Sequence, residues 1–177
     1  MALTLPQPAA RYFIDEVLLP EWQPSEARGF DIQNATPGDE AFLPVARSID
    51  NVGSVYPSII VQRSNETAGG DSTYNYLTPS GPGQVRNGTL LVTARAQDDE
   101  EDYVGDSASY SSADANTIVT ELVDAVENVC QRRADAPSSE FISLGSQRGP
   151  DVPDDLDEDP PVRIAQTEVR YSWLRDD

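Results

Sequence analysis

The stretch 112–133, "SADANTIVTELVDAVENVCQRR", constrains this chain more than any other. Ile118, Val119, Leu122, Val123, Val126, Val129 and Cys130 recur at helical spacing, so a helix here carries one broad apolar stripe. Ser111 or Asp114 can cap its start, and Arg132 with Arg133 suits the negative end of its dipole. Such a stripe has to be covered, and the flanking sequence offers strands to cover it. "GTLLVTARAQ" (88–97) alternates, with Leu90, Val92, Ala94 and Ala96 on one face and Leu91, Thr93, Arg95 and Gln97 on the other. "SVYPSIIVQRS" (54–64) sets Ile59, Ile60 and Val61 between Pro57 and Asn65, and "EFISLGS" (140–146) is a short third strand. The last strand, "VRIAQTEVRYSWLRDD", alternates Ala165, Thr167, Val169, Tyr171 and Trp173 with Gln166, Glu168, Arg170 and Ser172. Val162 and Ile164 are out of phase with the apolar set, which predicts a bulge or twist near Ala165.

One main helix between two strand pairs predicts an α+β fold of two layers. Its sheet is mostly antiparallel, four- to five-stranded, packed by that helix and joined by long loops. The 177 residues fit one domain, with a core at about 54–174. Residues 1–24 read as an N-terminal arm with a short helix, in which Phe13, Val17 and Leu18 share a side and Pro20 ends the run. Segment 23–52 is rich in Pro, Gly, Asp and Asn around the apolar anchors Phe30, Ile32, Phe42, Leu43 and Val45. It reads as an ordered loop or an arm draped over something. Further long loops are expected at 65–88, 98–112 and 147–161, and long ordered loops in compact domains are usually functional.

Charge limits the chemistry. There are 31 acidic and 12 basic residues, a net charge of −19, and every basic residue is Arg. Self-repulsion of this size opposes compaction, unless multi-molar salt shortens the Debye length to about 3 Å or less. The composition therefore reads as a halophile's protein. The absence of His removes Ser-His-Asp and Cys-His nucleophiles, His-ligated zinc and imidazole proton shuttles. The single Cys130 excludes an internal disulfide and reads as a buried small hydrophobe. No apolar run approaches the ~20 residues of a membrane span, and the start lacks the basic region of a signal peptide.

The run Asp98, Asp99, Glu100, Glu101, Asp102 invites a cation site, but the spacing fails. Counted from Asp98, the sixth position is Tyr103 and the twelfth Ser109, where a calcium-binding EF-hand loop needs Gly and Glu. This run and a second one (Asp154, Asp155, Asp157, Glu158, Asp159) read as solvated loops. A carboxylate pair for glycoside hydrolysis can be drawn anywhere among 31 acids, so it carries no weight. Scattered arginines disfavour nucleic-acid binding, and the Asn-x-Thr triplets at Asn34, Asn65 and Asn87 matter only in a secreted protein. Tyr171 and Trp173 read as core. No residue is assigned as catalytic, cofactor-binding or metal-ligating.

The order of "YPSIIVQRS", "GTLLVTARAQ", "ANTIVTELVDAVENVC" and "VRIAQTEVRYSWLRD" resembles the tail-terminator proteins of tailed viruses. With the salt-adapted composition, it is similar to a neck protein of a haloarchaeal tailed virus. The resemblance implies a non-enzymatic virion subunit with no cofactor, made in the host cytoplasm at high salt. It implies a homo-oligomeric ring, commonly a hexamer, that joins the tail tube protein to the head-side connector or stopper and lets DNA pass without specific binding or a membrane. Head-completion (stopper or adaptor) proteins of the same neck are the neighbouring reading. A monomeric halophilic binding module or carboxylate-based enzyme is the reading from another class. Under the ring reading, Tyr74, Tyr76 and Leu77 are expected at subunit contacts and Asp98–Asp102 in a channel-facing acidic loop.

Overall fold

The computed structural model describes residues 9–68, 75–78, 81–99, 101–134, 141–148 and 153–176. Helix α1 (Ala9–Tyr12) runs through a π-helical stretch, Phe13–Leu18, into α2 (Leu19–Glu21). Then follow β1 (Val45–Ala46), α3 (Ile49–Val52), β2 (Ser58–Ala68), β3 (Asn75–Thr78), β4 (Gly81–Gln97), α4 (Ala115–Ala134), β5 (Phe141–Arg148) and β6 (Val162–Asp176). The sheet order is β1-β2-β4-β6-β5, with β3 paired to the first residues of β4. Only β1 and β2 run parallel, so the fold is the expected α+β class with a mostly antiparallel sheet.

Helix α4 begins where the cap chemistry puts it. Asp114 Oδ1 accepts from Thr117 N at 2.8 Å, and Asp114 O accepts from Ile118 N at 2.9 Å. All seven residues of its apolar stripe are at most 1% exposed. Below them, the register sets Ile59, Val61, Leu90, Val92, Ala94, Thr167, Val169 and Tyr171 on one sheet face. Thr167 is the polar exception; it is fully buried, and its Oγ1 donates to Glu127 Oε1 on α4 at 2.9 Å. Burial pushes the Cys130 thiol up to about 12, so it is a packing residue at neutral pH.

Three expectations need correction. The β4–β6 register runs unbroken from Gly83↔Asp176 to Gln97↔Val162, so there is no bulge at Ala165. Val162 and Ile164 simply belong to the opposite face, and Val162 is buried beside Asp155, with which it exchanges two backbone hydrogen bonds of 2.9 Å. The register shifts lie elsewhere, between Arg63 and Asn65 and between Phe141 and Ser143.

Second, 65–88 is not a long loop. Strand β2 continues to Ala68, β3 occupies 75–78 and β4 starts at Gly81. Gly81, Pro82 and Gly83 look like turn residues, but β3 pairs with β4 here and β6 joins on its other side from Gly83 onward; sheet context outweighs β-propensity. Likewise Gln147 and Arg148 of the expected 147–161 loop are strand.

Third, the core is wider than 54–174. Ala9, Phe13, Val17, Leu18, Trp22, Ala27, Phe30 and Leu43 are all at most 4% exposed. The N-terminal segment packs on its own sheet and helix: Tyr12 meets Phe141 edge-on at 4.9 Å, and Trp22 Nε1 donates to Phe30 O at 2.9 Å. Arg132 at the end of α4 clamps it, bonding Glu26 Oε1 at 2.8 Å and Glu21 O at 2.7 Å. The π-helical stretch breaks the 3.6-residue spacing around Phe13, Val17 and Leu18. Phe13→Ala should therefore cost about 3–5 kcal/mol in a denaturant titration; a draped arm would leave the midpoint unchanged. Cys130 should resist a thiol reagent at pH 7 in the folded protein and react on unfolding.

Candidate assembly surface

Strand β4 ends opposite the start of β6, which brings the two acid runs together. Gln97 Nε2 donates to Pro160 O at 2.8 Å and Asp98 N to Pro161 O at 2.9 Å. The Arg163 guanidinium then bonds both oxygens of Asp98, Nε to Oδ1 at 3.0 Å and to Oδ2 at 3.1 Å, and Nη2 to Oδ2 at 2.7 Å. Its Nη1 bonds Asp154 Oδ2 at 2.8 Å, while Asp154 Oδ1 accepts from Ile164 N at 3.1 Å. The hydrogen bonds that Arg163 donates to Asp98 and then to Asp154 hold it above its ordinary value, and Arg163 holds the Asp154 carboxyl below its own.

The first acid run is thus divided. Asp98 is structural, Asp99, Glu101 and Asp102 are exposed, and Glu100 lies outside the described residues. The rest of the connector is pinned rather than loose. Tyr103 Oη donates to Gln97 O at 2.6 Å, and Tyr103 and Ala113 form an antiparallel bridge. Gly105 and Asp106 both donate backbone N–H groups to Arg28 O, at 3.1 and 3.2 Å. Gly29 has φ +85, and a Cβ on Gly105 would come within 2.5 Å of the Gly29 carbonyl carbon, so both glycines are required for this close approach. Arg28 closes the clasp, with Nη2 bonding Glu121 Oε1 at 3.0 Å and Nη1 bonding Ser111 O at 2.6 Å.

Of the expected subunit-contact residues, Tyr74 lies outside the described residues. Tyr76 and Leu77 belong to β3, opposite Gly83 and Pro82. They sit on a strand extension with a clear geometric property. Strand β4 has 17 residues, about 58 Å, whereas α4 has 20 residues, about 30 Å. Facing α4 on β4 are the buried Gly88, Leu90, Val92, Ala94 and Ala96. The first residues of β4 continue the sheet: Gly81–Gln84 pair with β3, Arg86 and Asn87 with the end of β2, and Gly83 onward with the last residues of β6. Strand β5 pairs only with β6, and β2 beyond Ile60 only with β4, so both flanks of the sheet keep unpaired backbone among the described residues.

On the sheet face away from α4, Arg95 is 8% exposed. Its guanidinium lies 5.3 Å from the Tyr56 ring centroid, and Nη2 donates to the Tyr56 hydroxyl at 3.2 Å. Sequence reasoning placed Arg95 on this face but missed its burial under Tyr56. It also missed Arg163, for which the signal was a lone cation just beyond the second acid run and strand-paired to the residues before the first. No group of three or more Cys, Asp or Glu among the described residues is arranged to hold a metal ion.

The carboxylates held low by hydrogen bonds predict the acid response. Thr117 lowers Asp114, Thr36 lowers Asp39 and Arg163 lowers Asp154. A depressed folded value stabilises the fold fully above the unfolded Asp value of about 3.9 and loses that contribution as pH falls through the lowered one. The urea midpoint at fixed KCl should be level from pH 7 to about 5 and fall below about 4. Asp154→Asn should make that acid limb shallower, and an unchanged limb would remove Arg163–Asp154 from the account.

No protein-family model matches this chain, and no curated protein matches it.

Proposed function

We propose that this protein is a structural subunit of the neck of a haloarchaeal tailed virus, a ring-forming tail terminator that joins the tail tube to the head-side connector around the DNA channel. The observation that carries this reading is the length of β4, 17 residues against a helix of about 30 Å, with β3 and the end of β6 paired along its first residues. A long sheet with unpaired edge backbone offers strand positions that another chain can add to.

The composition supports the same setting. A charge of −19 with no Lys favours hydrated carboxylates at multi-molar salt, and the described arginines are mostly spent on internal pairs such as Arg28–Glu121, Arg132–Glu26 and Arg163–Asp98. Few cations remain to grip phosphate. In a ring, exposed acids such as Glu101 and Asp102 facing the lumen would repel DNA and let it slide, an effect that salt shortens to a few Å.

Sedimentation of the full chain in multi-molar KCl tests the reading. A discrete species of several subunits is expected, and a persistent monomer at every concentration would overturn it. The thermal midpoint should also rise from 0.1 M to multi-molar KCl as self-repulsion is screened.

A further inference from the structure

The helix-distal face of the sheet holds a groove of about 490 Å³ near the far end of β6. Its walls are Asn87, Thr89, Ser143, Arg170 and Ser172, and Gly145 leaves a dimple: a Cβ built there meets no heavy atom within 4 Å. None of the lining residues is acidic, on a chain with 31 acids. The Arg170 side chain is 63% exposed and its ion pair, with Glu168, is long at 3.8 Å. Leu144, Tyr171, Gly88 and Gly145 make an apolar floor, so the groove is an acid-free, largely apolar patch rimmed by one cation, amides and hydroxyls.

The complementary feature lies at the other end of the same strand. Leu156 is 65% exposed, the most exposed large apolar side chain among the described residues. It does not hang from a loose loop. Asp155 and Val162 exchange two backbone hydrogen bonds of 2.9 Å, and Asp154 is bound to Arg163 at 2.8 Å, so the loop tip is held outward. Exposed Asp157, Glu158 and Asp159 follow Leu156 directly.

The geometry points to docking between copies of this chain, in which Leu156 of one copy seats over Gly145 of the next and the acids behind it face Arg170. Knob and groove cannot meet within one molecule, because Val162 and Arg170 are eight residues apart on an extended strand, about 27 Å. Each copy gives its knob to the next and takes a knob from the one before, a head-to-tail contact of the kind that closes into a ring or continues as a filament, in place of a reciprocal exchange within a dimer. In multi-molar salt the leucine supplies the affinity and the charges set its orientation. This docking rests on the assembly reading above and names its contact.

Three variants at exposed or open positions test it by sedimentation of the full chain in multi-molar KCl. Leu156→Asp removes the knob and Gly145→Leu fills the dimple; each should weaken self-association about tenfold or more while leaving circular dichroism and the thermal midpoint in place. Arg170→Glu should weaken it roughly two- to fivefold. Mixing Leu156→Asp with Gly145→Leu leaves one intact knob and one intact groove per pair, so a one-to-one dimer and nothing larger is expected. If wild type assembles and the variants assemble equally well, the docking is overturned and the assembly reading stands. A mixture that restores full-size assemblies would also overturn the head-to-tail contact. A monomeric wild type overturns both.

Discussion

The seam between α4 and the inward rows of β4 and β6 holds this molecule together. Ile118, Val119, Leu122, Val123, Val126 and Val129 are all buried there, a gross contribution of roughly 9–18 kcal/mol, as large as the whole net stability of a typical domain. The opposing sheet row is small: Ala94, Val92, Thr167 and Ala165. Small residues let the helix lie close, and the buried hydroxyl of this row, on Thr167, bonds the helix itself. The N-terminal segment completes the layer by packing Phe13, Val17 and Leu18 beside α4, with Arg132 holding its far end.

Around that seam, charge works in two ways. Carboxylates bound to arginine tie distant pieces of chain together: Arg163 joins both acid runs, Arg28 ties the N-terminal segment to α4, and Arg148 ties β5 to Asp124 and Glu127 of α4. Unpaired carboxylates stay in solvent and hydrate the surface. A guanidinium bonds two carboxylates at once more readily than an ammonium does, which is a physical reason for an all-arginine chain with so many acids.

The helix and the four long strands were legible because their spacing is regular and their burial one-sided. Leu90, Val92, Ala94 and Ala96 lie inward as alternation requires, and Asp114 caps as its side chain allows. Three features were not legible. The outer part of β4 is written in Gly and Pro, and only pairing with its neighbours makes it strand. The N-terminal anchors pack through a π-helical stretch, which has no simple period. The acid run looked uniform, yet Asp98 differs from Asp102 solely because strand register places Arg163 beside it. The groove and the Leu156 knob were invisible for the same reason, since each is a property of register and of where the chain turns.

In the proposed ring, the long sheet and the outward loop serve neighbouring subunits. Imaging the purified protein in multi-molar KCl beside tail tubes from a haloarchaeal virus tests that most directly. The account predicts rings with an open centre, alone and seated on one end of each tube. Bare tube ends among scattered single subunits would contradict it.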